Sequence, residues 1–176
     1  MDIFSHALWG FGIIRWRRKA KWGAFFGVLP DILTFLPLMA YLRLAYPELP
    51  YGKPPHYLTQ EFFTLIYNTM HSFVTLGIVF FAVWWLRGKR IFYPLFAWFL
   101  HILHISMDIP THSEEFYPTK FLYPITNFHV NGISWGRWEI ILPDLLALLA
   151  VYGWYFYRKK QPDRLVKNKL SGQSID

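Results

Sequence analysis

His101, His104 and Asp108 are separated by three and four residues, so on a helix they project from one face. An imidazole and a carboxylate one turn apart can both reach a single ion. His112 extends the series by another four residues, but Pro110 predicts that the helix ends before it. Other ionisable groups fall in strongly apolar stretches: His6, Asp31, His71 and Asp144. Such groups are costly in a membrane unless they face a cavity or one another. Lys and Arg are almost absent from the same stretches, so the carboxylates lack their commonest partner and a divalent cation would supply the missing charge. With no cysteine in the chain, a metal must be held by nitrogen and oxygen. Zinc accepts both. His6, Asp31, His71, His104 and Asp108 offer more ligands than one four-coordinate zinc needs, and two ions bridged by Asp108 would use them all.

The elements that must position these groups are helices. The 176 residues are 54% hydrophobic and only 16% charged, which excludes a disordered chain. The charges gather in short basic runs between apolar stretches long enough to cross a bilayer. Four stretches have that length: Trp22 to Tyr46, Phe62 to Leu86, Ile91 to Ile109 and Trp138 to Tyr157. Ile3 to Ile14 is too short and reads as a tilted or re-entrant helix. The expected fold is all-α, a polytopic membrane bundle of residues 1–160 with a basic, disordered tail over 161–176. The N-terminal stretch has its basic run after the apolar core rather than before it, the reverse of a signal peptide, so it is expected in the mature protein.

Of the 18 Lys and Arg residues, fourteen fall in Arg15–Lys21, Arg87–Arg90 and the segment after Tyr157, which alternation places on one side. Arg43, Lys53, Lys120 and Arg137 fall on the other. By the positive-inside rule the first set is cytoplasmic. The net charge of +7 is thus topological, and no nucleic-acid partner is expected. On the opposite side, 47–61 is proline-rich, and 110–137 interleaves prolines with Phe116, Tyr117, Phe121, Tyr123, Phe128 and Trp135, as suits a lid or an aromatic belt at the headgroups. Pro30-Asp31 and Pro143-Asp144 echo each other inside apolar segments, where a proline frees a carbonyl beside a carboxylate. Asp144 reads either as a further ligand or as a group at a helix break. His56 and His129 fall in loops and read as solvated. With straight helices at 1.5 Å per residue, His6 and Asp31 lie up to roughly 10 Å closer to the cytoplasmic boundary than His71 and His104.

Ser5-His6-Ala7 with Gly10, Gly27-Val28-Leu29-Pro30-Asp31, His71-Ser72, the His104 to Asp108 interval and Phe121-Leu122-Tyr123-Pro124 occur in an order that resembles the bacterial membrane-bound metal-dependent hydrolases. These are also described as LexA-binding, inner-membrane-associated hydrolases. The resemblance covers most of residues 1–126. It departs before His71, where the family commonly has another His and a Thr and this chain has Asn68, Thr69 and Met70. The family is in turn distantly similar to zinc-dependent phospholipase C. That similarity implies His6, Asp31, His71, His104 and Asp108 as ligands of clustered zinc ions and hydrolysis of a phosphoester, while the resemblance to the membrane family implies an inner-membrane location. A site within the bilayer would favour a lipid or lipid-linked substrate, with His101 or His112 assisting by proton transfer or by orienting the ligands. Three other readings use the same residues: a haem-binding electron carrier ligated by His71 and His104, a metal or ion transporter, and a scaffold or regulator acting through its basic tail.

Overall fold

The computed structural model describes residues 1–15, 20–50, 62–89, 100–115 and 117–170, with the backbone alone for Phe62 and 161–170. Residues 91–99 of the expected third span, His56, Phe116 and 171–176 lie outside the described residues. The described residues form six helices and no strand: α1 (Ile3–Ile14), α2 (Lys21–Ala45), α3 (Phe62–Met70), α4 (Phe73–Leu86), α5 (Leu100–Thr111) and α6 (Trp138–Leu170). Two of them, α2 and α6 over Trp138–Lys160, are long and apolar enough to cross a membrane, and α3 with α4 makes a third if the bent pair is one span. The backbone of 161–170, expected as disordered tail, continues α6.

Asp2 starts α1, its carboxylate accepting the N–H groups of Phe4 and Ser5 at 3.0 and 2.9 Å. Burial pushes this carboxyl up, but the bonds from Ser5 and Phe4 outweigh it and hold it below the ordinary aspartate value. α1 lies along α2 at backbone contact. A methyl group on Gly27 would sit 2.7 Å from the His6 carbonyl oxygen, and Gly10 and Gly23 face each other as closely. Small residues at helix crossings are what allow such an approach in membranes.

α2 runs unbroken through Pro30 and Pro37, with the Thr34 hydroxyl donating to the Pro30 carbonyl at 2.7 Å. The segment expected as one straight span over Phe62–Leu86 instead breaks at His71-Ser72 and bends by 64°. Ser72 caps α4 by accepting from Val74 and Thr75, and its hydroxyl donates to the Tyr123 carbonyl at 2.5 Å. Phe73 N–H donates to the Phe121 carbonyl at 2.9 Å. The loop after α5 thus holds the break, and the break carries His71 into the bundle. α5 reaches one residue past Pro110, and the turn continues as His112 N–H donates to the Asp108 carbonyl at 3.0 Å.

Candidate metal centre

Asp31 from α2, His71 from the α3–α4 break, and His104 and Asp108 from α5 meet with one ligand atom each inside 4.8 Å. All four are buried, His71 and Asp108 fully. His104 Nε2 lies 3.1 Å from both His71 Nε2 and Asp108 Oδ2. Asp31 Oδ1 lies 3.4 Å from His71 Nε2 and 3.6 Å from His104 Nε2, and His71 Nε2 lies 3.6 Å from Asp108 Oδ2. A tetrahedral zinc with bonds of about 2.0–2.1 Å has ligand–ligand edges of about 3.3–3.4 Å. Five edges of this quartet scatter around that value.

The tautomers suit the same role. His71 Nδ1–H donates to the Tyr67 carbonyl at 3.0 Å, and His104 Nδ1–H to the Gly27 carbonyl at 2.7 Å. A backbone carbonyl only accepts, so each Nδ1 carries a hydrogen, and in the neutral imidazole each Nε2 then turns a lone pair inward. Two such lone pairs face each other at 3.1 Å with carboxylates beside them. Asp108 Oδ2 is buried without a hydrogen-bond partner among the described residues. Lone pairs and a bare carboxylate oxygen converging on one point are electrostatically unfavourable unless a cation joins them. The donor set therefore fits a metal ion. The ion-pair partners of Asp31 are His71 and His104, and those of Asp108 are four histidines and the Met1 ammonium.

His6 stands beside the quartet rather than in it. Its Nε2 lies 3.0 Å from Asp108 Oδ1, the oxygen turned away from His104, and its ring stacks on His104 at a centroid separation of 3.7 Å. His112 approaches the same oxygen at 3.6 Å, and the Met1 ammonium contacts both Asp108 Oδ1 and His112 Nε2. Burial pushes the His112 imidazole down to about 4, against the attraction of Asp108, so it is neutral at pH 7. His112 Nδ1 faces the Tyr67 hydroxyl at 2.6 Å, and that hydroxyl also lies 3.0 Å from the Tyr117 carbonyl. If Nδ1–H donates to Tyr67 and Tyr67 to Tyr117, His112 Nε2 is an acceptor, and it faces the Met1 ammonium at 3.1 Å.

His101 does not reach the cluster. It shares the helix face of His104, but its Nε2–H donates to the Met70 carbonyl at 2.8 Å, capping the broken end of α3. Its place in proton transfer gives way to support of the break that carries His71. Asp144 also stays outside, bound by Ser5 and Trp9 of α1. His129 is part-exposed beside Glu114 at 3.7 Å, as its loop position suggests. A porphyrin between His71 and His104 would have to separate two nitrogens 3.1 Å apart and displace both carboxylates, so the haem reading finds no room.

Tyr67 escapes a sequence reading based on ionisable groups. It is buried, stacks on His71 at 4.1 Å, and supports His71 through its carbonyl and His112 through its hydroxyl. Its position four residues before His71 on one helix face was the available signal. Comparison with protein-family models, with curated proteins and with solved structures finds no match to this chain.

Proposed function

We propose that the protein is a membrane-integral, metal-dependent hydrolase whose centre holds zinc on Asp31, His71, His104 and Asp108. The observation that carries this reading is the inward turn of two imidazole lone pairs onto two carboxylate oxygens at tetrahedral spacing. Hydrolysis is favoured over a purely structural ion by what surrounds the quartet. Asp108 turns its second oxygen to His6, His112 and the Met1 ammonium, so a reacting group beside the quartet would meet donors and acceptors on that side, and a second ion would take the place of the ammonium.

Zinc, when bound, lowers the pKa of a water and polarises a phosphoryl or acyl oxygen. Asp31 and Asp108 balance its charge, while Tyr67 and Gly27 hold the imidazoles in the ligating tautomer. His112 takes up or returns a proton at Nε2, with Tyr67 behind its other nitrogen. One or two ions are compatible with the ligand count, two requiring Asp108 as the bridge.

The topology is four spans with α1 as a short fifth helix, α3 and α4 forming one bent span and α5 ending another. Basic loops face the cytoplasm, which leaves the α5 end and its loop on the outer side. The resemblance to the bacterial inner-membrane hydrolases described above agrees with this arrangement, and a lipid or lipid-linked phosphoester suits a centre so deep in an apolar bundle. Purified protein in mixed micelles should release product from a phospholipid or other phosphoester panel, lose this activity on chelation and regain it with zinc. Stoichiometric zinc without turnover of any ester, together with metal uptake in proteoliposomes, would replace the hydrolase by a transporter.

A further inference from the structure

Among the described residues, α6 is poorly covered. Trp138, Leu142, Leu145, Leu146, Leu149 and Trp154 are all exposed, and the helix packs chiefly on α1. Its polar attachments are specific. Asp144 Oδ1 accepts the Trp9 indole N–H at 2.7 Å, and Oδ2 lies 2.7 Å from the Ser5 hydroxyl oxygen. About two turns further along α6, the Tyr152 hydroxyl donates to the carbonyl of Leu8, the residue before Trp9, at 2.8 Å. Ser5 and Trp9 are four residues apart on one face of α1, and His6 follows Ser5 directly. An aspartate facing α1 from a helix otherwise turned to lipid is costly unless it is fully bonded.

We propose that Asp144 is a positioning residue: it clasps α6 to α1 through Ser5 and Trp9, and so sets His6 against Asp108. The clasp itself depends only on these contacts, whereas its effect on metal rests on the centre proposed above. The Ser5 hydroxyl oxygen lies 2.7 Å from Asp2 Oδ2 as well as from Asp144 Oδ2. The hydroxyl has one hydrogen, so when that hydrogen goes to Asp2, a side chain at 144 that donates to Ser5 keeps both contacts. What position 144 requires is therefore one acceptor for Trp9 and one hydrogen towards Ser5, not a negative charge. Asparagine supplies both, from its carbonyl and its amide.

The absence of native cysteine lets two introduced ones report the spacing of the helices. Spin labels at Phe4→Cys and Leu149→Cys, both at exposed positions, should give a narrow distance distribution in the otherwise wild-type chain. Asp144→Ala should broaden it and weaken zinc binding by about 10- to 100-fold, the range seen when groups supporting a metal ligand are removed. Asp144→Asn should restore both. Trp9→Phe, which keeps an aromatic ring and removes one hydrogen bond, should fall between, and it carries the test if Asp144→Ala does not fold. An unbroadened distribution in Asp144→Ala, or an Asp144→Asn that behaves like alanine, overturns the clasp. Broadened distances with unchanged zinc affinity overturn the positioning of His6. If the wild type binds no metal, the distances still judge the clasp while the hydrolase reading fails separately.

Discussion

Asp108→Asn is expected to abolish stoichiometric metal binding while leaving a folded protein. The substitution keeps the size of the side chain and removes the one charge that faces every histidine of the site. Asp108 Oδ2 lies 3.1 Å from His104 Nε2 and 3.6 Å from His71 Nε2, and Oδ1 lies 3.0 Å from His6 Nε2 and 3.6 Å from His112 Nε2. An amide oxygen is a far weaker zinc ligand than a carboxylate, and the amide nitrogen presents hydrogens where a lone pair is needed. The readout is thermal stability in detergent with and without added zinc. A ligand at about 1,000 times its Kd stabilises the folded state by about 4 kcal/mol, so the wild type should show a clear zinc-dependent rise in Tm. The variant should show none. A zinc-dependent rise of wild-type size in Asp108→Asn would remove Asp108 from the centre.

The second large effect is expected far from any ionisable group. Gly27→Ala places a methyl group 2.7 Å from the His6 carbonyl oxygen, with Gly10 Cα at 3.5 Å behind it. Backbone cannot rotate away as a side-chain tip can, so α1 must move off α2. Overpacking of this kind costs about 1–3 kcal/mol. Here the displacement also reaches the site from two directions, because the Gly27 carbonyl accepts from His104 Nδ1 and the displaced strand of contact is His6 itself. Zinc affinity should fall by about 10- to 100-fold together with the loss of stability. Gly77→Ala, in α4 with nothing within 4 Å of the added methyl, should keep both or gain slightly in stability from helix propensity. Equal behaviour of the two variants in thermal unfolding and zinc titration would refute the close-contact argument.

The helical architecture and most of the cluster were legible in the sequence because both rest on local periodicity. His104 and Asp108 one turn apart in an apolar segment imply a shared face, and their ligand atoms do converge. Asp31 and His71 were identifiable as charges that an apolar segment cannot leave unpaired. The same logic puts His101 on that face, one turn short of the cluster, where it meets the Met70 carbonyl and supports the break that carries His71. Whether a carbonyl is left open depends on a break in another helix, which periodicity along α5 cannot report. The depth mismatch between His6 or Asp31 and His71 or His104 likewise assumed straight helices. The 64° bend at His71-Ser72 removes that assumption, and the Nε2 atoms of His71 and His104 meet at 3.1 Å. His112 was expected to be cut off by Pro110, yet the proline removes only its own donor, and the His112 N–H continues the turn to the Asp108 carbonyl at 3.0 Å. Tyr67 and Asp144 act through hydrogen bonds to partners distant in sequence, which no spacing rule encodes.

The most direct test is the metal content of the detergent-purified wild-type protein, by elemental mass spectrometry, with no metal added after lysis. One or two equivalents of zinc per chain are predicted. A folded protein containing no stoichiometric metal would contradict the account and make the buried histidines and carboxylates a structural hydrogen-bond network.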